Sequence, residues 1–257
     1  THLLDKIVII TIKNFIPIVD QDEVFDSNDH DLIEKMCSRR FGIGADGLIL
    51  LRNKEGYDFE MIYFNSDGHQ SSMCGNGGRC IVKFAYDLEI IDSACKFLAI
   101  DGAHDAVVNE NHEVKLKMND VRDVLKMHDD HVLDTGSPHY VKILPSVEMV
   151  DVKAEGSKIR YSDPFHKEGI NVNFVQHNSN SIEVATYERG VEDETYSCGT
   201  GVTASALISH LVDAKYSSPI QVGTKGGKLS VHFKHEDGIF TNVWLQGPAK
   251  YVFKGSY

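Results

Sequence analysis

A chain of 257 residues with 42% apolar content can bury a sizeable core, either as one large domain or as two of about 100 to 150 residues. Its 26 Lys and Arg against 38 Asp and Glu leave a formal charge of −12, which argues against nucleic-acid binding through a basic face. No apolar run approaches the roughly 18 residues of a membrane span, and the five cysteines are odd in number with no repeated short spacing, so neither a transmembrane helix nor a disulfide framework is expected. The opening stretch THLLDKIVIITIKNF lacks the layout of an export signal, and the expectation is a reduced, cytoplasmic protein with no membrane partner.

In chain order, KIVIITI reads as a strand, Asp31–Arg39 as a helix, and GLILL and YDFEMIYFN as strands. The glycine-rich MCGNGGRC, Met73 to Cys80, then runs into a helical window over Arg79–Leu88, followed by the strands KFLAIDG and HEVKLKM. DVRDVLKMHDDHVLDTGS reads as a polar crossover. After it come HYVKIL, GINVNFVQ and SIEVATYERG, and then a second glycine-rich stretch, YSCGTG, ahead of a helix over Val202–Ala214. PIQVGT, KLSVHF, TNVWLQG and a last strand in KYVFKGSY complete the chain. Several of these runs alternate apolar with polar residues, the pattern of antiparallel strands with one buried face.

Both glycine-rich stretches fit Cys-Gly-X-Gly at the start of a helix, and Cys198 lies 124 residues after Cys74, close to half the chain. That spacing predicts a duplicated architecture: residues 1–119 with 249–257 carrying Cys74, and residues 120–248 carrying Cys198. A helix N-terminus presents unpaired amides and the positive end of the macrodipole, and glycine lets the backbone approach an anion closely. A thiol there should ionise more easily than its ordinary pKa of about 8.5. Two such thiols on opposite sides of a bound carboxylate's α-carbon would suit stereoinversion, one removing a proton while the other donates one. No metal or pyridoxal would be needed. Cys37, Cys80 and Cys95 read as small buried hydrophobes.

The motifs CSRRFGIGADGLILL, YFNSDGHQSSMCGNGGRC, DTGSPHYV, GINVNFVQ, YERGVEDETYSCGTG and VGTKGGKLSV together resemble the diaminopimelate epimerases, cofactor-independent two-cysteine enzymes of lysine and peptidoglycan precursor synthesis. The resemblance implies an α/β (α+β) fold of two pseudo-twofold-related domains, each a curled, mainly antiparallel sheet around a central helix, with the active site in the cleft between them. It also implies a homodimer acting on a small amino-acid substrate, with no cofactor. By the same resemblance Cys74 and Cys198 are the acid/base pair, tuned by His139 and Glu188. Gly75, Asn76, Gly199 and Thr200 would hold the reacting amino-acid end, and Asn65, Asn171, Glu188 and Arg189 the distal one. A bidentate Arg189 suits a carboxylate, and Glu188 suits an ammonium.

The chain departs from the family pattern at three places. KNFIPIVD stands where the family has Gly-Asn-Asp-Phe, leaving Asn14 as the matching ligand. Ser137 replaces an Asn that contacts the distal group, and Gly47 stands where others have a Gln and brings no side-chain contact. A proline or hydroxyproline racemase would share the two-thiol logic but would not need Asn65, Asn171, Glu188 and Arg189 together. A thiol redox or metal-binding protein using Cys74 with Cys80 or Cys198, and a non-catalytic binding protein, are the alternatives from other classes. The Cys74–Cys80 spacing with no clustered His or Cys is a poor zinc pattern.

Overall fold

The structure is a computed structural model that describes residues 7–11, 15–255 and 257. Asn14 lies outside the described residues. In chain order the elements are β1 Ile7–Thr11, β2 Phe15–Val19, α1 His30–Cys37, β3 Gly47–Arg52, β4 Phe59–Asn65, β5 Gln70–Ser71, α2 Gly75–Asp87, β6 Ala94–Ala99, β7 Gly102–Val108 and β8 Val114–Lys117. They continue as β9 Val124–Met127, β10 Asp130–Asp134, β11 Pro138–Leu144, α3 Val152–Arg160, β12 Asn171–His177, β13 Ser181–Glu188, β14 Asp193–Thr195, α4 Gly199–Val212, β15 Ile220–Thr224, β16 Gly227–Glu236, β17 Ile239–Gly247 and β18 Lys250–Gly255. The fold is mixed α/β. It divides into two compact units, Thr1–Leu116 with Gly247–Tyr257, and Lys117–Gln246.

In the first unit β2 runs parallel to β3, β3 pairs antiparallel with β4, and β4 takes β5 antiparallel at one end and β6 parallel at the other. Antiparallel β7 and β8 follow, and at the opposite side β1 pairs with β2 and with β18. The second unit repeats this order strand for strand. There β11 is parallel to β12, β12 is antiparallel to β13, and β13 takes β14 antiparallel and β15 parallel. Antiparallel β16 and β17 follow, with β10 and β9 beyond β11. The duplication is therefore topological, and α2 and α4 hold matching places in it.

Each sheet has one helix packed on either face. α1 starts at Asp29, whose side chain accepts from the Leu32 amide, and packs Ile33 and Met36 against Leu48, Leu50 and Phe64. α3 starts at Asp151, which accepts from the Ala154 amide in the same way, and lays Val152 against Val172, Phe174 and Tyr187. The opposite faces of the two sheets close on α2 and α4. With both faces covered, β3 reads GLILLR, a continuous apolar run rather than an alternating one. α4 is buried around most of its circumference, as its near-continuous apolar and small-residue sequence requires.

Local structure differs from the sequence reading in several places, among them strands β2, β5, β7 and β14, which that reading lacks. DVRDVLKMHDDHVLDTGS is a hairpin of β9 and β10 rather than a crossover, turning at His128 with φ of 56°. The helix α3 is absent from the sequence reading because VKAEGSKIR carries an internal Gly and a short apolar stripe. Both central helices start earlier than their apolar windows suggest, at Gly75 and Gly199, because the glycines form the first turn.

Candidate active site

Cys74 is the N-cap of α2. With φ of −108° and ψ of 151° it is extended, and its Sγ accepts from the Gly77 amide at 3.3 Å, the part that Ser or Asp usually plays. The strands behind this turn leave little room: a Cβ on Gly77 would meet Met61 at 3.3 Å and Cys74 Sγ at 3.4 Å, and one on Gly78 would meet Met73 Sδ at 2.9 Å. Gly75 and Asn76 are buried in the same turn. Arg79 follows them and is also fully buried, with Nη1 donating to the Gly75 carbonyl at 2.9 Å and Nη2 to Asn76 Oδ1 at 2.8 Å.

Cys198 is the extended N-cap of α4, and its Sγ lies 3.4 Å from Thr200 Oγ1. Thr135 Oγ1 donates to the Thr200 carbonyl at 2.9 Å, which ties this turn to the loop before β11. Both reactive-thiol candidates are partly exposed, whereas Cys37, Cys80 and Cys95 are buried and their thiols are pushed up to about 12, chiefly by desolvation. Those three pack as the sequence implies.

The remaining candidates of the second unit gather around β12. Asn171 Nδ2 donates to Ser137 Oγ at 2.9 Å and to the Pro138 carbonyl at 3.1 Å, while its Oδ1 accepts from the Arg189 amide at 2.9 Å. One buried amide thus joins Ser137, Asn171 and Arg189. The Arg189 side chain is exposed, with Nη1 on the Glu168 carbonyl at 2.9 Å. Glu188, half-buried, ends β13 just before it.

His139 is 0% exposed, and desolvation, aided by the positive charge of Arg189, pushes it down from 6.5 to about 3. It is a neutral imidazole at physiological pH. Its Nδ1 meets Asn173 Nδ2 at 3.0 Å, and a Cβ on Gly201 would lie 3.3 Å from its Cε1, so the ring lies beneath the first turn of α4. Sequence reasoning missed Asn173, Thr186 and Arg79. All three are polar residues at positions that the strand and helix periodicities assign to the core, which is the signal that marks them.

In the first unit Asn65 ends β4 opposite Gly47 of β3, and its amide and carbonyl close the turn to His69 and Gly68. A Cβ on Gly47 would lie 2.4 Å from the Phe64 carbonyl oxygen and 2.5 Å from the Tyr63 ring, so the glycine fits a crowded strand pair. Among the described residues, no three His, Cys, Asp or Glu side chains gather closely enough to hold a metal ion.

The sequence profile described as diaminopimelate epimerase matches residues 12–124 and 131–252. The chain belongs to the diaminopimelate epimerase family. It is 51% identical to the diaminopimelate epimerase of Flavobacterium psychrophilum over 94% of this chain and 95% of that one. It is 39% identical to that of Chlorobaculum tepidum, over 95% and 97%. Among solved structures, a phenazine biosynthesis protein of the PhzF family from Bacillus anthracis superposes with a TM-score of 0.72 at 12% identity, covering 98% of each chain. A hydroxyproline epimerase from Agrobacterium vitis gives 0.65 at 12% identity over 97% and 91%. These two likenesses establish the fold only. This diaminopimelate epimerase family member thus joins a mixed α/β scaffold shared with other enzymes to the two Cys-Gly-X-Gly helix starts.

Proposed function

We propose that the chain is an isomerase that converts LL-2,6-diaminopimelate to the meso form by two-base proton transfer at one α-carbon, without a cofactor, in lysine and peptidoglycan precursor synthesis. The observation that carries this is the pair of partly exposed cysteines, each capping a buried helix start, in a chain so similar to diaminopimelate epimerases along its length. A thiolate takes the α-proton, the other thiol donates to the opposite face, and the first-turn amides offset charge growing on the carboxylate. On this reading the two units, 1–119 with 249–257 and 120–248, are epimerase halves that present Cys74 and Cys198 to opposite faces of the substrate. Gly75, Asn76, Gly199 and Thr200 hold the reacting end, with Asn65, Asn171, Glu188, Arg189 and Ser137 toward the distal end, and Asn14 as a further ligand.

The neutral His139 would act near Cys198 as a hydrogen-bonding group and not as a cation. The enzyme would work in the cytoplasm as a homodimer. The test is exchange of the α-proton in deuterated water across a panel of amino acids, repeated on Cys74→Ala and Cys198→Ala. Exchange with diaminopimelate that both substitutions abolish is the expected result; exchange with proline and none with diaminopimelate would sink it.

A further inference from the structure

The turn that carries the distal candidates Glu188 and Arg189 is built against the end of α3. The Glu192 amide donates to the Glu188 carbonyl at 2.8 Å, and Glu192 itself takes a φ of 57°, a left-handed backbone uncommon outside glycine. Its carboxylate gathers four partners. Oε1 accepts from the Gly190 amide at 3.0 Å and lies 3.5 Å from Arg160 Nε, an ion pair. Oε2 accepts from the hydroxyls of Tyr187 at 2.8 Å and Tyr161 at 3.0 Å. Arg160 is the last residue of α3 and Tyr161 its C-cap, and Gly156 lets this helix come close, since a Cβ there would lie 2.4 Å from that of Tyr187. Burial works to raise the Glu192 carboxyl, but the hydrogen bonds from Gly190, Tyr187 and Tyr161 and the Arg160 charge outweigh it and hold the group below its ordinary value.

Two arginines converge beside this turn. A Cβ on Gly169, whose φ is 74°, would lie 2.7 Å from both Arg160 Cζ and Arg189 Cδ. Together they hold the loop that leads from α3 to Asn171: Arg160 Nη1 donates to the His166 carbonyl at 3.2 Å, and Arg189 Nη1 to the Glu168 carbonyl at 2.9 Å. Their charges are handled differently. Arg160, whose side chain is 13% exposed, is paired with Glu192. Arg189 is exposed and rests on a neutral carbonyl, while Asn171 Oδ1 fixes its backbone amide at 2.9 Å. Two like charges this close repel unless one is compensated, and Glu192 compensates the more buried of the two.

We propose that Glu192 is a positioning residue for the distal end of the substrate: by pairing with Arg160 and closing the 188–192 turn onto α3, it holds the Arg189 guanidinium where a distal carboxylate can meet it. This rests on the reading above in which Arg189 grips that carboxylate. Glu192 itself touches no substrate. Its effect passes through Arg189, so it concerns how tightly the distal end is held and not the proton transfer at the α-carbon.

The test is a double-mutant cycle read by α-proton exchange of diaminopimelate, with Glu192→Ala and Glu192→Gln each made with Arg189 intact and with Arg189→Met. With Arg189 intact, Glu192→Ala should raise KM about tenfold or more and leave kcat within about threefold, the mark of lost binding common to ground and transition states. Glu192→Gln, which keeps an acceptor but not the charge, should fall between. With Arg189→Met in place, Glu192→Ala should change kcat/KM by less than about twofold, because the group it positions is gone. An equal loss in both backgrounds, or a lowered kcat at unchanged KM, overturns the proposal and leaves the epimerase reading standing. No exchange by the unaltered chain overturns that reading and this proposal with it. Where Arg189→Met turns over too slowly to follow, calorimetric binding of diaminopimelate closes the same cycle, and should Glu192→Ala fail to fold, Glu192→Gln is read in its place.

Discussion

Asn173 fixes which nitrogen of His139 carries the proton. Its Nδ2 donates to the Tyr140 carbonyl at 3.1 Å and faces His139 Nδ1 at 3.0 Å, while its Oδ1 accepts from Thr186 Oγ1 at 2.9 Å. A carbonyl can only accept, so the amide orientation is set, and His139 Nδ1 must be an acceptor. The neutral ring therefore holds its hydrogen on Nε2.

Replacing that amide by a carboxylate should reverse the tautomer. Asn173→Asp puts an acceptor where the donor was, so the proton moves to Nδ1 and the imidazolium becomes easier to form. Nitrogen-detected NMR of the imidazole should show Nε2–H in the natural chain and a protonated Nδ1 in the variant. The same Nε2–H signature in both would refute the relay.

The burial of His139 also predicts a pH dependence of stability. Its folded value, about 3, lies below the ordinary 6.5, so the unfolded chain binds a proton that the folded chain refuses. The stabilising contribution is complete above pH 6.5 and is lost as pH falls from there toward 3. Chemical denaturation should show a loss from this group of up to about 1.4 kcal/mol per pH unit inside that window. His139→Gln should remove that part of the slope.

Alkylation should sort the five cysteines into two classes. Cys74 and Cys198 are partly exposed, and the three others are buried with thiols at about 12. Brief iodoacetamide treatment of the folded protein near pH 8 should modify two positions and spare Cys37, Cys80 and Cys95 by about a hundredfold in rate. Peptide mapping checks it, and labelling of Cys80 in the folded state would contradict the packing of α2.

Crowding at the second helix start gives a steric prediction. A methyl on Gly201 would sit 2.3 Å from Asn173 Oδ1, inside a network with no slack. Gly201→Ala should destabilise the fold by about 1–3 kcal/mol and lower activity about a hundredfold by displacing the turn. Gly255→Ala, which has open space around the new carbon, should change stability by less than about 0.5 kcal/mol. Melting temperatures and the exchange assay measure both.

Much of this was legible in the residues. The paired Cys-Gly-X-Gly stretches, their spacing, and the polar positions in GINVNF and YERG mark helix starts and strand ends that the structure contains. What stayed hidden depends on partners distant in sequence. Nothing local to Asn173 says that it meets His139 and Thr186, because β11, β12 and β13 bring them together only once the sheet has formed. Arg79 differs: its place in the helix periodicity marks it as buried, and its partners Gly75 and Asn76 are its neighbours along α2. α3 and the β9–β10 hairpin escaped because short polar-rich elements are decided by packing rather than by periodicity.

The two units share a topology but line their central helices differently. Against Gly77 the first unit sets Ile49 and Met61; against Gly201 the second sets Asn173 and His139. A saturation-mutagenesis map of this chain would therefore fall into unlike halves. Positions 49 and 61 should accept other aliphatic residues of similar volume, whereas position 173, which matches 49 in the strand order, and position 139 should accept almost nothing.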